Sequence, residues 1–157
     1  MTIGDIAVDW KTRTIWIGTG ENNSSRSSYS GVGMYKSTNN GKSWEYLGLP
    51  ESHHVGRIAL HPTDPNIAWV AVLGHLYSPN KERGMYKTTD GGKTWANTGL
   101  EETHHIGRII INPSNPNIIW VAALGHLYTP NKERGVFMTI DGGKTWKQTL
   151  FVHENAG

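Results

Sequence analysis

Three copies of one eight-residue segment decide the fold of this chain. They read STNNGKSW at residues 37–44, TTDGGKTW at 88–95 and TIDGGKTW at 139–146. The tryptophan that ends each copy lies 51 residues from the tryptophan that ends the next. Self-similarity at such a period indicates a repeat architecture, in which every repeat is one supersecondary unit that packs against its neighbours. We call these three segments the box turns.

Outward from the box turns, each repeat contains four short runs rich in β-branched and aromatic residues. In the second repeat these runs are GRIALH, IAWVAVLG, GMYKTT and TWANTG, separated by PTDPN, by a long polar loop and by DGGK. Clusters of Pro, Asn, Asp and Gly mark turns, whereas β-branched and aromatic residues favour strands. No segment has a convincing helical period. The pattern therefore predicts four antiparallel strands in every repeat.

Four antiparallel strands in about 50 residues are typical of a β-propeller blade. We therefore predict an all-β fold, a β-propeller segment of three four-stranded antiparallel blades with a period of about 51 residues. The predicted blades cover about residues 2–51, 52–102 and 103–152 of a single unit, 1–157, and residues 153–157 begin a linker to a next blade. A β-solenoid is the main alternative, but its repeats are usually much shorter.

The box turns resemble the Asp-box, or BNR, repeat, whose pattern is Ser/Thr-x-Asp-x-Gly-x-Thr/Ser-Trp. Two copies match in full, and the first copy has Asn39 in place of the aspartate. The wider repeat, with its GTGENN and GHLYxPNKERG segments, is similar to bacterial propellers related to the sortilin-type domain. This resemblance implies that the box turns are structural and lie away from the active face.

Turn chemistry gives the same structural interpretation of the box turns. An aspartate can accept hydrogen bonds from its own hairpin, a glycine can adopt positive φ, and a tryptophan can wedge between adjacent sheets. We assign this structural role to Asn39, Gly41, Trp44, Asp90, Gly92, Trp95, Asp141, Gly143 and Trp146.

The loop GHLYSPNKERG at residues 74–84 returns almost unchanged as GHLYTPNKERG at 125–135. In an up-and-down meander, the connections between second and third strands leave from the same edge as the linkers between blades. We call this edge of the blades the loop face, and the box turns and PTDPN-type turns lie at the opposite edge. Binding groups concentrate on loops carried by a rigid scaffold, so we predict that the loop face borders a shared binding site.

The predicted binding residues of the loop face are polar, charged or aromatic side chains that mostly recur between repeats. They are Glu21, Asn22, Arg26, His53, His54, Arg57, His75, Tyr77, Asn80, Glu82, Arg83, His104, His105, Arg108, His126, Tyr128, Asn131, Glu133 and Arg134. The alternative interpretation is structural: duplication alone keeps the loops alike, and these side chains then pair within and between blades.

Composition narrows the classes of function. The net charge is +2 without long runs of like charge, so no nucleic-acid or membrane partner is expected. The chain has no cysteine, which excludes disulfides and thiolate metal sites. No local metal motif is present, and we predict no metal and no cofactor. The first residues lack the charged and apolar regions of a signal peptide, although propellers of the resembled family are often extracytoplasmic.

An enzymatic alternative follows from the resemblance, because Asp-boxes also occur in sialidases and in enzymes that cleave xyloglucan. Glycosidases usually need two carboxylates about 5–9.5 Å apart. The glutamates on the loop face are Glu21, Glu51, Glu82, Glu102, Glu133 and Glu154. A sialidase also has an Arg-Ile-Pro segment, and this chain has RIAL and RIII instead. We therefore favour binding of a glycan or an extended peptide, with a glycoside hydrolase or a purely structural scaffold as alternatives.

Three blades do not close a ring, since propellers typically have four to eight blades. Both flanking blades carry Trp and aliphatic residues that need a partner. We expect two copies of the chain to associate head to tail as a homodimer with six blades. The alternative is that further blades of a parent protein cover the flanks.

Overall fold

The computed structural model describes residues 1–23, 28–76, 78, 80–126 and 128–155. The first sheet contains β1 (Ile3–Asp9), β2 (Thr14–Thr19), β3 (Met34–Ser37) and β4 (Glu45–Tyr46). The second contains β5 (Val55–Leu60), β6 (Ala68–Val72), β7 (Gly84–Thr88) and β8 (Ala96–Asn97). The third contains β9 (His105–Ile111), β10 (Ile119–Gly125), β11 (Gly135–Thr139) and β12 (Lys147–Leu150).

Each sheet is an antiparallel meander in which the strands follow one another in chain order. The only helical segment among the described residues is a 3₁₀ turn, Glu101–Thr103. No described helix has the length and apolarity that crossing a membrane requires. The prediction of an all-β fold with three four-stranded antiparallel sheets is confirmed. We call the three sheets blades 1, 2 and 3.

The fourth strands are shorter than the sequence predicts, because β4 and β8 have only two residues each. The predicted fourth strand of blade 2 included Trp95, but this residue lies before β8 and its indole turns toward blade 1. There Trp95 Nε1 donates to the carbonyl of Leu47 at 2.8 Å. All three fourth strands begin directly after the tryptophan of the box turn.

Packing between blades explains which strands are buried on both faces. The first strands of the three blades lie beside one another, so β5 packs between β1 and β9. All five residues of β6 are buried, because blade 2 is covered on both sides. In β10 the burial alternates, and Ala122 and Leu124 are exposed. The exposed residues of β10 lie on the face of blade 3 that is turned away from blade 2.

Two hydrophobic cores fill the two junctions between blades. Between blades 1 and 2, Trp16 and Met34 pack against Val55, Val70 and other residues of blade 2. Between blades 2 and 3, residues such as Trp69 and Met85 pack against side chains of β9, β10 and β11. Each core combines opposite faces of successive blades, so one face of blade 1 and one face of blade 3 stay outside both cores.

The box turns are held by their own side chains. Asp90 Oδ1 accepts from the backbone N–H of Thr94 at 2.9 Å and from the Thr88 hydroxyl at 2.8 Å. Asp90 Oδ2 accepts from the Thr94 hydroxyl at 2.6 Å. This bond contributes most, together with the other two, to lowering the pKa of Asp90 to about 2. Gly92 has φ of 93°, which is favourable for glycine. In blade 1, Asn39 Oδ1 takes the place of the carboxylate and accepts from the N–H of Ser43 at 2.9 Å.

The box turns also join one blade to the next at the edge opposite the loop face. Gly91 N–H donates to Asn66 O at 2.9 Å, which sets the box turn of blade 2 beside the PTDPN turn. Lys36 Nζ of blade 1 donates to Gly91 O at 2.6 Å. Trp146 Nε1 of blade 3 donates to Thr98 O of blade 2 at 2.8 Å, which repeats the contact made by Trp95. The same contacts thus recur at both junctions.

Candidate functional site

The loop face gathers the histidines of the inter-blade linkers. The His53 ring lies on the His75 ring with centroids 3.8 Å apart. The His104 and His126 rings repeat this arrangement at 3.6 Å. His53 and His104 both have positive φ, of 50° and 52°, which few non-glycine residues adopt. The second histidine of each linker turns inward, and His105 Nδ1 lies 3.1 Å from Gly125 O.

The repeated polar residues of the long loops bind backbone groups of the loops themselves. Arg83 is buried and donates to the carbonyls of Leu73 at 2.8 Å, of His75 at 2.5 Å and of Ser78 at 2.9 Å. Asn80 accepts from the His75 N–H at 3.1 Å and donates to Glu51 O at 2.6 Å. These side chains therefore brace the loop and tie it to the preceding linker.

Blade 3 uses the corresponding residues in the same way. Arg134 donates to the carbonyls of His126 and Thr129. Asn131 donates to Glu102 O at 3.0 Å and to the Glu133 carboxylate at 3.2 Å. A loop without a hydrophobic core needs these hydrogen bonds to keep one conformation. The recurrence of GHLYxPNKERG therefore has a structural explanation.

Further predicted residues are spread around this loop scaffold. Glu21 O lies 2.7 Å from His54 Nδ1, and Asn22 donates to Gly56 O at 3.0 Å. Tyr128 is 77% exposed and extends into solvent. Arg26 and Tyr77 lie outside the described residues.

Glu82 has an environment that disfavours its charged form. Burial raises its pKa, and the neighbouring Glu51 carboxylate raises it further. The Glu82 carboxylate accepts from the Glu51 backbone N–H at 2.7 Å, and Glu51 lies 3.6 Å from the His53 ring. Among the described residues, no group of three or more His, Asp or Glu side chains has an arrangement that could hold a metal ion.

The innermost strands form a groove of about 600 Å³ that contains the two arginines predicted at their starts. Arg57 Nε donates to Gly107 O at 2.7 Å, and its Nη1 donates to Gly56 O at the same distance. Arg108 is exposed and has no hydrogen-bond or ion-pair partner among the described residues. Its guanidinium is therefore available to a bound group.

Asp5 also lines this groove and was not among the predicted binding residues. It occupies the position in blade 1 that Arg57 and Arg108 occupy in blades 2 and 3, so IGD stands where the other repeats have VGR and IGR. Its carboxylate accepts from Ile58 N–H at 2.7 Å. Alignment of the three first strands was the signal that would have found it. The remaining lining residues are aliphatic: Ile6, Ile58, Ala59, Leu60, Ile109 and Ile111.

The histidines make stability depend on pH. Burial, followed by the Arg83 guanidinium and the His126 ring, lowers the pKa of His104 to about 4. Burial also lowers the pKa of His54 and of His105. The unfolded chain then binds more protons than the folded chain between about pH 6.5 and 4. Stability is complete above this window and falls as the pH drops through it.

We expect the melting temperature to fall by a few degrees between about pH 7 and 5, equivalent to about 1 kcal/mol from His104 after allowance for solvent screening. The variant His104→Asn should reduce this pH dependence, because asparagine tolerates positive φ and does not titrate. Melting curves of both proteins at each pH provide the measurement. Equal pH dependence in the two proteins would contradict the assignment to His104.

Comparison with solved structures places the fold. An ancestral GH74 enzyme superposes with a TM-score of 0.73 at 24% identity, over 99% of this chain. The fold is that of β-propeller blades. The GH74 xyloglucanase from Xanthomonas campestris gives a TM-score of 0.64 at 15% identity over 98% of the chain. YCF48 bound to D1 peptide gives 0.61 at 18% identity over 99% of the chain.

The chain spans only part of each of these structures, namely 19% of the ancestral enzyme, 24% of the xyloglucanase and 42% of YCF48. No protein-family model matches the chain, and no curated protein matches it either. At these identities the likeness concerns the fold, and function has to be argued from the residues of this chain.

Proposed function

We propose that this chain is a ligand-binding β-propeller module whose groove along the innermost strands holds an extended ligand that carries carboxylates. The observation that carries the proposal is the exposed, unpaired guanidinium of Arg108 beside Arg57 in that groove. Arginine presents a planar set of donors that matches a carboxylate in bidentate geometry. The aliphatic side chains of the groove offer apolar contacts beside these charges.

An acidic peptide is the ligand class that this groove fits best. Two cations separated by aliphatic side chains suit a chain that alternates charged and apolar groups. One of the structural neighbours, YCF48, is described as bound to a peptide, which supports the same kind of use of the fold. An acidic glycan is the second candidate, because its carboxylates present the same charge.

Binding is better supported than glycoside hydrolysis. Asp5 is the only acidic residue among the described ones that lines the groove, whereas hydrolysis usually needs two carboxylates on opposite sides of the bond. Asp5 is also engaged with the Ile58 N–H. Glu51 and Glu82 are close to each other but lie outside the groove.

Titration of a labelled peptide with alternating glutamate and valine would test the proposal, measured by fluorescence anisotropy. A control peptide with glutamine in place of glutamate tests whether binding depends on charge. An oligogalacturonate tests whether the ligand is a peptide or an acidic glycan. We expect the acidic peptide to bind and Arg108→Gln to weaken it about tenfold or more, since hydrogen bonds to charged groups contribute about 1.5–3 kcal/mol. Lys93→Gln removes one positive charge at the opposite edge and should change little.

Preferential binding of the oligogalacturonate would favour the glycan. Equal binding of the acidic and glutamine peptides, or equal affinity of Arg108→Gln and wild type, would contradict the proposed role of the groove. Cleavage of the oligogalacturonate would contradict a pure binding function and favour the glycoside hydrolase alternative.

A further inference from the structure

Apolar side chains are exposed on the two outer flanks of the three-blade unit. On blade 1, Ile3 is 46% and Ile6 is 61% exposed. On blade 3, Ile110 is 53% and Leu124 is 43% exposed. We call the outer face of blade 1 the first flank and the outer face of blade 3 the last flank.

The same positions are buried wherever another blade covers them. Val55 and Ile58 occupy the positions of Ile3 and Ile6 in blade 2, and they are 0% and 9% exposed. Leu73 occupies the position of Leu124 and is 3% exposed. The first flank therefore has the apolar pattern of a face that receives a preceding blade, and the last flank has the pattern of a face that receives a following one.

The two flanks also carry the positions that donate and accept hydrogen bonds at the internal junctions. Both internal junctions contain a tryptophan N–H that donates to a carbonyl of the preceding blade. Trp44 is the equivalent donor on the first flank and is 43% exposed. Thr149 on the last flank occupies the position of the acceptors Leu47 and Thr98. Trp44 and Thr149 are thus the two halves of a third bond of this kind.

Two surfaces could cover the last flank: the first flank of another copy, or the corresponding face of a blade that carries an arginine. Charge complementarity favours the first flank. At the junction between blades 2 and 3, Arg57 donates to Gly107 O, which lies next to the second cation, Arg108. The equivalent acceptor on the first flank is Gly4 O, and the residue after Gly4 is Asp5. At the closing junction Arg108 Nε would donate to Gly4 O as Arg57 Nε donates to Gly107 O, and the residue next to that acceptor would be an aspartate instead of a second arginine. The remaining N–H groups of Arg108 would stay in the groove, which Arg57 also lines while bound to its acceptor.

We propose that the last flank binds the first flank of a second copy of this chain, head to tail, and that two copies close a six-bladed ring. Closed rings are expected when a heterologous interface repeats with the correct rotation. Six is the only multiple of three within the usual range of four to eight blades. The inference deepens the proposed function, because ring closure would surround the groove, but it is tested without ligand.

The first experiment is the mass in solution by light scattering across about a hundredfold range of protein concentration. We expect a discrete species of twice the 17.4 kDa chain. Leu124→Asp should give a monomer with unchanged circular dichroism, because it places a charge in the centre of the last flank. Ser114→Asp adds the same charge to an exposed turn of the same blade and should leave the dimer intact.

The second experiment covers the case in which Leu124→Asp fails to fold. The chain has no cysteine, so a disulfide between two engineered cysteines can be detected without interference from native thiols. Val55 contacts the position of Gly18 at the first junction, and the equivalent pair across the closing junction is Ile3 with Ala122 of the second copy. Oxidised Ile3→Cys/Ala122→Cys protein should run as a covalent dimer on a non-reducing gel, and neither single variant should do so efficiently.

A monomer throughout the concentration range, a polydisperse mass, or the absence of the covalent dimer in the double-cysteine protein would overturn ring closure. A monomer that still binds the acidic peptide would leave the proposed function intact. A dimer that binds neither probe would instead contradict the proposed function and leave ring closure standing.

Discussion

Replacing Trp69 with alanine is expected to lower the free energy of unfolding by about 4 kcal/mol, the usual cost of emptying a buried aromatic site. The Trp69 side chain is 1% exposed and belongs to the core between blades 2 and 3. Its ring also lies under the Lys87 ammonium at 4.8 Å and stacks on His61 with centroids 6.1 Å apart. A cavity at this site separates the blades and removes both contacts.

The measurement is chemical denaturation followed by circular dichroism, with Trp10→Ala as the matched control. Trp10 is 83% exposed, so the same substitution should change the unfolding free energy by less than about 0.5 kcal/mol. Trp69→Phe keeps most of the ring volume and should have a smaller effect than alanine. Equal effects of Trp69→Ala and Trp10→Ala would contradict the assignment of Trp69 to a well-packed core.

The fold was predictable from the sequence because its strongest signals are local and repeated. The aspartate, glycine and tryptophan of a box turn perform their roles within one hairpin or at one blade junction, so their spacing reports the architecture directly. Strand periodicity, with turn residues at regular intervals, then gave four strands in each blade. The length of β8 was not predictable from the pattern, because β4, β8 and β12 begin at the same position of the repeat but have two, two and four residues.

The candidate site was only partly predictable, since the partners of a loop side chain are set by the packing between distant segments. Asn80 and Arg83 were selected as binding residues for their polarity and recurrence, and the structure engages both with backbone groups. Arg57 and Arg108 have the same residue type and the same strand position, yet Arg57 donates to Gly107 O of blade 3, whereas Arg108 has no partner among the described residues. Sequence alone does not separate the occupied guanidinium from the free one.

Gly92→Ala is expected to destabilise the protein by about 3 kcal/mol, through two effects that the chain allows to be separated. Gly92 has φ of 93°, a conformation that costs an L-residue about 1–2 kcal/mol. A Cβ at this position would also lie 2.6 Å from Leu47 Cδ1 and 3.1 Å from Trp16 Cζ3, both buried in the first junction. Such overpacking typically adds about 1–3 kcal/mol.

Gly143→Ala is the matched control, because it changes the same position of the next box turn. Its φ of 96° is nearly the same, but a Cβ there would meet Thr98 at 3.5 Å, which is ordinary contact. We expect this variant to lose only about 1 kcal/mol, the cost of the backbone conformation. The comparison uses denaturation curves of both variants and of a third, in which Gly92→Ala is combined with Leu47→Thr. Threonine is the neighbour found at the equivalent position in blade 2.

The third variant decides whether the contact with Leu47 causes the difference between the two glycines. Leu47→Thr alone should destabilise the protein, because it removes buried apolar area from the core between blades 1 and 2. In its presence, Gly92→Ala should cost only slightly more than Gly143→Ala, since the contact with Leu47 is then removed and only that with Trp16 Cζ3 at 3.1 Å remains. If the cost of Gly92→Ala stays near 3 kcal/mol in both backgrounds, strain in the turn itself is responsible, and the packing of the box turn on the preceding blade is not.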